Sequence, residues 1–172
     1  MSRIILGVDP GLTRCGFGLV RVSGNRLEFL HAGVIRTATE LPVEERLHGV
    51  WLGLLELINQ YAPQAVAVER VYAQANLRTV MGTAQVSGLA LTLARLNALP
   101  VATYTPTEMK AAVTGSGRAD KAQVTSMVQR LLKLSAPVKP ADASDALGLA
   151  ICHAWRGSGQ ERLANAVAAA RP

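Results

Sequence analysis

Residues 3–11 read Arg-Ile-Ile-Leu-Gly-Val-Asp-Pro-Gly. The apolar run 4–8 is rich in β-branched residues, and Asp-Pro-Gly closes it with a tight turn, which is typical of a buried strand that ends abruptly. A carboxylate directly after a buried strand costs free energy unless something neutralises it. The segment therefore predicts a core strand of a sheet, with Asp9 as the first candidate functional residue.

The elements that follow this strand predict the fold class. Residues 15–22 and 27–36 form two more strands around a Ser-Gly-Asn hairpin turn, so the first three strands make an antiparallel meander. Later strands alternate with helices, as in βαβ units with parallel pairing. These strands are expected at 65–69 and 101–104, and the helices at 42–61, 77–97, from 106, from about 121, and at 142–155. The predicted fold is α/β, a mixed five-stranded sheet with helices on both faces.

Length and composition predict one domain and exclude a disordered or fibrous chain. The 172 residues are 49% hydrophobic and 17% charged, which suits a packed core. We expect a domain over residues 1–156, then a C-terminal tail, 157–172, that is flexible or forms a short helix of its own. Cys15 and Cys152 lie in apolar contexts without metal-ligand spacing, and no apolar run reaches membrane-span length. A soluble, cytoplasmic protein with buried free thiols is predicted.

The charge distribution predicts a polyanionic partner. Eighteen Lys and Arg residues against twelve Asp and Glu leave a formal charge of +6. Residues 106–140 hold six basic and two acidic side chains, and thus +4 of this excess. Such a window is either a placed phosphate-binding patch or an ordinary solvated surface.

Four acids stand beside apolar runs and predict a metal site. Asp9 and Glu69 each end a core strand, and the carboxyl ends of neighbouring strands meet at one edge of a sheet. Asp142 and Asp145 share one face of a helix start. Crowded carboxylates favour Mg²⁺ or Mn²⁺, and two such ions catalyse phosphodiester cleavage. Singly, each acid also has a structural interpretation, as a turn residue, an ion-pair partner or a helix cap.

An ordered set of motifs runs along residues 4 to about 154. These motifs are Ile-Leu-Gly-Val-Asp-Pro-Gly-Leu at 5–12, Gly16-x-Gly18, Ala67-Val-Glu-Arg-Val-Tyr72, Asn76, Gln85, Lys110, the glycine loop 115–121, Leu-Leu-Lys-Leu at 131–134 and Ala141-Asp-Ala-Ser-Asp-Ala-Leu147. Together they resemble the RuvC family of Holliday-junction resolvases.

The resemblance implies a fold, an activity and partners. It implies a ribonuclease-H-like fold and a homodimer that makes paired, symmetric, Mg²⁺-dependent nicks in four-way DNA junctions during recombination and repair. A branch-migration complex of RuvA and RuvB is a further implied partner. The four family acids fall on Asp9, Glu69, Asp142 and Asp145, which implies that these residues are catalytic metal ligands.

Candidate DNA contacts come from the resemblance and from residue chemistry. Lys110 and Lys121 match basic family positions near DNA, and Lys121 could also offset charge on the scissile phosphate. Tyr72 matches an aromatic position that could stack on a base. Residue chemistry alone adds further candidates beside these, namely Arg14, Asn76, Arg78, Gly115, Gly117 and Arg118.

Three alternatives remain at this stage. The Asp-Pro-Gly loop also resembles the first phosphate loop of sugar kinases and actin-like ATPases, but those enzymes need a second large lobe. A related nuclease for RNA or RNA–DNA hybrid would share the fold and the acids. A non-catalytic junction-binding module would bind the same DNA without metal-dependent nicking.

Overall fold

The computed structural model of the chain describes residues 2–71 and 77–169, which form five strands and five helices. The strands are β1 (Ser2–Asp9), β2 (Arg14–Ser23), β3 (Arg26–Arg36), β4 (Ala65–Glu69) and β5 (Val101–Tyr104). They form one sheet in the order β3-β2-β1-β4-β5. The β1/β2 and β2/β3 pairs are antiparallel, whereas β1/β4 and β4/β5 are parallel. The predicted mixed sheet is confirmed.

Helices cover both faces of this sheet, as predicted. The helices are α1 (Val43–Tyr61), α2 (Leu77–Leu96), α3 (Pro106–Thr114), α4 (Lys121–Leu131) and α5 (Ala141–Ala169). Leu6 and Val8 of β1 point to the face covered by α1 and α2. Ile5 lies on the opposite face, in a second apolar cluster with residues of α3, α4 and α5. The alternation of side chains along β1 therefore supplies both halves of the core.

Helix α5 lies unusually close to the sheet because glycines face it. A Cβ at Gly7 of β1 would overlap the backbone of Ala146, and one at Gly16 of β2 would overlap the backbone of Asp142. The missing side chains allow the helix backbone to rest directly on the strands. The glycines of the first two strands thus set the height at which α5 crosses the sheet.

Helix α5 is longer than the sequence pattern predicts. The apolar pattern ends at Trp155, but the helix continues to Ala169. Gly157, which we expected to begin a tail, packs inside the helix. A Cβ there would lie 2.6 Å from the His153 imidazole, so glycine is a packing requirement at this position. The alanine-rich segment that follows has high helix propensity and continues the helix.

Two other expectations concern the cysteines and membrane insertion. Cys15 and Cys152 are both buried and free, as predicted. Within the described ranges, no helix has the length and apolar character needed to cross a bilayer.

Candidate active site

Asp9 and Glu69 end neighbouring parallel strands. In the β1/β4 pair, Val8 is opposite Val68, so the two acids follow at the same edge of the sheet. Both side chains are half-buried. The sequence argument required β1 and β4 to be adjacent in the sheet, and they are.

Helix α5 brings two more carboxylates to this edge. Gly16 is the cross-strand partner of Asp9, and the backbone of Asp142 lies directly on Gly16. The first turn of α5 therefore covers the end of β1. Asp145 follows one turn later on the same side of the helix, half-buried like Asp142.

The four acids share one electrostatic field. Burial raises the pKa of Asp9 to about 8, with further contributions from the charges of Glu69, Asp145 and Asp142. Burial, and then the Asp145 charge, raises the pKa of Glu69 to about 7. The pKa of Asp145 is also raised, again chiefly by burial. Full ionisation of this cluster at neutral pH therefore requires a cation.

Two lysines lie close enough to the cluster to oppose this effect. Lys121, the exposed first residue of α4, lowers the pKa of Asp9, Glu69 and Asp145. Lys110 of α3 lowers the pKa of Glu69 and Asp145. Both lysines thus lie beside the acids, in a position to meet a phosphate that approaches them.

The basic window 106–140 is divided between two places. Lys110 and Lys121 approach the acids, but Lys133 lines a groove with residues 25–29 and Trp155. Residues 26–29 are the beginning of β3, at the end of the sheet opposite Asp9. Lys133 of the α4–α5 connection therefore lies at the opposite end of the sheet from the four carboxylates Asp9, Glu69, Asp142 and Asp145, which we call the acid edge.

The donor set at the acid edge suits a hard divalent ion. Every candidate ligand is a carboxylate oxygen, which is the chemistry that Mg²⁺ and Mn²⁺ prefer. The raised pKa values of Asp9 and Glu69 agree with this, because a bound cation would stabilise both carboxylates in their charged form. In the parts of the chain that the structure describes, however, no group of three or more His, Cys, Asp or Glu side chains already stands in metal-binding geometry.

Asp142 is engaged in an ion pair with Arg14. The Nε of Arg14 donates to Asp142 Oδ2 at 2.7 Å, and an Arg14 Nη nitrogen lies 2.6 Å from the same oxygen. This pairing had no signal in the sequence, since 128 positions separate the residues. Arg14, which we predicted as a DNA contact, thus holds one of the candidate ligands.

The turn between β1 and β2 is braced by residues that the sequence did not single out. Arg46 of α1 donates to the Thr13 hydroxyl at 2.7 Å and to the Thr37 hydroxyl at 3.0 Å. Thr37 in turn donates to the Leu12 carbonyl at 2.5 Å. An arginine near the beginning of an amphipathic helix resembles a solvated charge, so only the tertiary structure reveals this brace beside Asp9.

The predicted glycine loop has structural reasons for both glycines. Gly115 has φ of 81° and ends α3, with its N–H donating to Ala111. A Cβ at Gly117 would lie 2.7 Å from the Thr107 methyl group. Arg118 is exposed and lines a depression of about 600 Å³ with polar residues of the loop and α4. Contact between this loop and DNA stays a prediction.

Three predicted contacts fall in a part of the chain with little or no description. Tyr72 and Asn76 lie outside the described residues. Arg78 lies in the first turn of α2, and only its place in that helix is described. Their proposed contacts with DNA stay predictions.

The fold and the acid edge together define the class of protein. A sheet in the order β3-β2-β1-β4-β5, with carboxylates at the ends of β1 and β4 and at the beginning of α5, is a ribonuclease-H-like arrangement with an acidic site. Comparison with known proteins narrows this class to one family. The family model described as crossover junction endodeoxyribonuclease RuvC matches residues 5–153.

Individual relatives agree with this match. A crossover junction endodeoxyribonuclease RuvC of Streptomyces griseus is 57% identical over 168 residues, which are 97% of this chain and 82% of the relative. The corresponding protein of Thermobifida fusca is 55% identical over 163 residues, 94% of this chain and 90% of that one. The chain belongs to the RuvC family of crossover junction endodeoxyribonucleases.

Solved structures support the same conclusion. Thermus thermophilus RuvC in complex with a Holliday junction substrate superposes with a TM-score of 0.86 at 31% identity, over 92% of this chain and 96% of that one. The yeast mitochondrial Holliday junction resolvase, at 14% identity and a TM-score of 0.61, shares the fold. The predicted family, fold and endonuclease class are confirmed.

Proposed function

We propose that this chain resolves four-way DNA junctions by paired, symmetric nicks in homologous recombination and repair. The observation that carries the proposal is the acid edge. Three half-buried carboxylates with raised pKa values converge there in a chain of the RuvC family. Such a cluster of carboxylates does not stabilise the fold, whereas a metal-dependent nuclease needs it to bind its metal ions.

The proposed metal ligands are Asp9, Glu69, Asp142 and Asp145. When bound, a pair of Mg²⁺ or Mn²⁺ ions activates water and stabilises the leaving oxygen in phosphodiester hydrolysis. The protein's own contribution is to hold the carboxylates at the ends of β1 and β4 and on α5, where burial strengthens their attraction for a cation.

Lys121 and Lys110 are the proposed partners of the scissile phosphate. Both act on the same carboxylates from α4 and α3, so a phosphate between these lysines and metal ions bound by the acids would meet positive charge on both sides. Lys121 is the better candidate for a catalytic role because it also acts on Asp9. The loop with Gly115, Gly117 and Arg118 lies immediately before α4 and extends the proposed DNA surface.

A homodimer would match the symmetry of the substrate, because two equivalent nicks require two equivalent sites. Support comes from α2. In its described part the exposed residues are uncharged between positions 81 and 92, namely Met81, Ala84, Gln85, Gly88 and Thr92. A Cβ at Gly88 would meet no atom within 4 Å, so another helix could approach closely there. Sedimentation analysis of wild type and a Gly88→Arg variant tests this part of the proposal, with a monomeric variant as the expected result.

Several further predictions complete the proposed function. They are a cytoplasmic location, association with the RuvA and RuvB branch-migration complex, and a catalytic domain that ends near residue 156. The role of residues 157–172 can be tested by deleting them, which we expect to leave junction cleavage intact.

The function is tested by incubating the protein with a four-way junction, a linear duplex and an RNA–DNA hybrid, each with Mg²⁺, Mn²⁺ or EDTA. We expect paired nicks in opposite strands of the junction, with either metal and not in EDTA. Preferential cleavage of the hybrid would instead indicate a ribonuclease. Junction binding without cleavage under any condition would indicate a binding module.

A further inference from the structure

Arg14 lies between the acid edge and a cavity next to it. On one side it binds Asp142, with two of its nitrogens on a single carboxylate oxygen. On the other side it lines a cavity of about 360 Å³, whose walls are residues 11–14 of the β1–β2 turn, Arg46 of α1, and Gly82 and Thr83 of α2. Arg14 therefore contributes to both places.

The cavity has the chemistry of a phosphate site. Two arginines, Arg14 and Arg46, line it, and hydrogen bonds to Thr13 and Thr37 hold the Arg46 guanidinium in place. Gly82 leaves space on the α2 side of the cavity, since a Cβ there would lie only 3.1 Å from the Leu12 side chain. The cavity is next to Asp9 along the chain, because the turn that follows Asp9 forms its wall.

We propose that this cavity binds a phosphodiester of the DNA substrate, and that the phosphate takes Arg14 from Asp142 and so releases this carboxylate to the acid edge. The inference rests on the proposed function, since it assumes DNA as the substrate and Asp142 as a metal ligand. It makes Arg14 a positioning residue that links DNA binding to completion of the metal site.

The exchange is physically reasonable because the existing pair is weak. The side chains of Arg14 and Asp142 are 39% and 27% exposed, so water and salt screen their attraction. Both nitrogens also share one oxygen, whereas a phosphodiester offers two oxygens to the guanidinium fork. Coupling of this kind is reciprocal, so the metal and the phosphate each strengthen the binding of the other.

Partner exchange predicts an unusual sign for one measurement. If Arg14 withholds Asp142, its removal improves metal binding in the absence of DNA. If Arg14 merely orients Asp142 as a ligand, its removal weakens metal binding. The two roles therefore give opposite results with the same variant.

The test compares wild type with Arg14→Gln in two assays, one of metal binding without DNA and one of DNA binding without metal. Calorimetric titration with Mn²⁺ at pH 8 without DNA should show binding about threefold to fivefold tighter in the variant, the range that corresponds to one exposed ion pair. Fluorescence anisotropy with a four-way junction in EDTA should show weaker binding, with the slope of log affinity against log salt reduced by about one.

Three variants serve as controls. Arg36→Gln removes an exposed charge directly across the β2/β3 ladder from Arg14, and should leave Mn²⁺ affinity unchanged. Arg46→Gln should weaken junction binding in EDTA without tightening Mn²⁺ binding, because Arg46 does not contact Asp142. Arg14→Lys keeps the charge but loses the fork, so its Mn²⁺ affinity should lie between wild type and Arg14→Gln, which keeps the test informative if the glutamine variant folds poorly.

Unchanged or weaker Mn²⁺ binding by Arg14→Gln would overturn the exchange. If Arg14→Gln and Arg46→Gln both bind the junction in EDTA as tightly as wild type, the phosphate site is overturned. Wild-type cleavage of the junction, measured in parallel, separates these failures from a failure of the proposed function, since cleavage can persist while either result occurs.

Discussion

The two ends of the central sheet differ in how deeply their charged side chains are buried. At the carboxyl ends of β1 and β4, burial and then the charges of neighbouring carboxylates raise the pKa of Asp9 to about 8 and of Glu69 to about 7. At the other end, residues 25–29, residues 131–134 and Trp155 line an open groove of about 770 Å³. Charges there are exposed or paired, as in the 3.0 Å contact between Arg21 and the 47% exposed Glu28.

The difference shows where the fold tolerates the unfavourable burial of like charges close together. Carboxylates at the groove end lie in solvent and cost little, as is usual for surface charge. At the acid edge the same residue type is half-buried among like charges, although nothing in the packing of β1, β4 and α5 requires it. Electrostatic cost confined to one end of a well-packed sheet marks that end as the functional one.

The largest contrast is expected from neutralising one acid at each end. Asp9→Asn should lower junction cleavage by about 10³-fold or more, because a proposed metal ligand is lost. The same change should raise the metal-free free energy of unfolding at pH 8 by about 1–3 kcal/mol, since the variant no longer buries a charged carboxylate beside other acids. Glu28→Gln should change cleavage less than about twofold and stability by less than about 0.5 kcal/mol. Cleavage rates and urea denaturation measure both; a destabilised Asp9→Asn would contradict the comparison.

A glycine substitution tests how α5 is held over the acid edge. Gly16→Ala places a methyl group against the backbone of Asp142, so we expect destabilisation by about 2–4 kcal/mol and a loss of cleavage of about 10- to 100-fold. In Gly49→Ala the new methyl group would have only an ordinary 3.8 Å contact with Thr37. That control should be neutral or more stable by up to about 1 kcal/mol. Equal effects of the two substitutions would show that close approach of α5 is unimportant.

The acid edge should also give the metal-free protein a characteristic pH dependence. The folded pKa values of Asp9 and Glu69 lie above their ordinary values of 3.8 and 4.5, so the folded state binds more protons than the unfolded state between about pH 4 and 8. Stability should therefore fall as pH rises through this window and level off only above about pH 9, where Asp9 is also fully deprotonated. Melting temperatures at pH 6, 7, 8 and 9 measure the fall, which Mg²⁺ and Asp9→Asn should each reduce. A metal-free stability that rises from pH 6 to 8 would refute the assignment.

The smallest effect is expected at the groove end. Trp155 is 44% exposed and lies far along α5 from Asp142. Trp155→Ala should leave Mg²⁺-dependent junction cleavage within about twofold of wild type and cost less than about 1 kcal/mol of stability, in line with surface substitutions. A tenfold loss of cleavage would mean that the two ends are coupled.

The sequence predicts the fold and the acid edge because both depend on local patterns. Asp9 and Glu69 end apolar strands that are recognisable by themselves, and the alternation of strands with helices makes those strands neighbours. Asp142 and Asp145 are likewise recognisable as acids that share one face of a predicted helix start, and the family motifs include the same two positions. Each of these steps uses residues that are close together in the chain or a rule of sheet topology.

The remaining features depend on contacts between distant segments. Arg14 meets Asp142 across 128 positions, and Arg46 meets Thr13 across 33. Lys133 belongs to the basic window in the sequence but lies at the opposite end of the sheet in space. The length of α5 was missed because Gly157 resembles a linker residue, whereas its actual role is to accommodate His153.

The central claim is that the acid edge performs metal-dependent cleavage of a four-way junction while other surfaces bind it. The most direct measurement compares wild type with Glu69→Gln, using cleavage of a strand-labelled junction in Mg²⁺ at pH 8 and binding of the same junction in EDTA. We predict paired nicks in opposite strands by the wild type, and no detectable nicking by a variant whose junction affinity is unchanged. Nicking by Glu69→Gln at the wild-type rate would contradict the account.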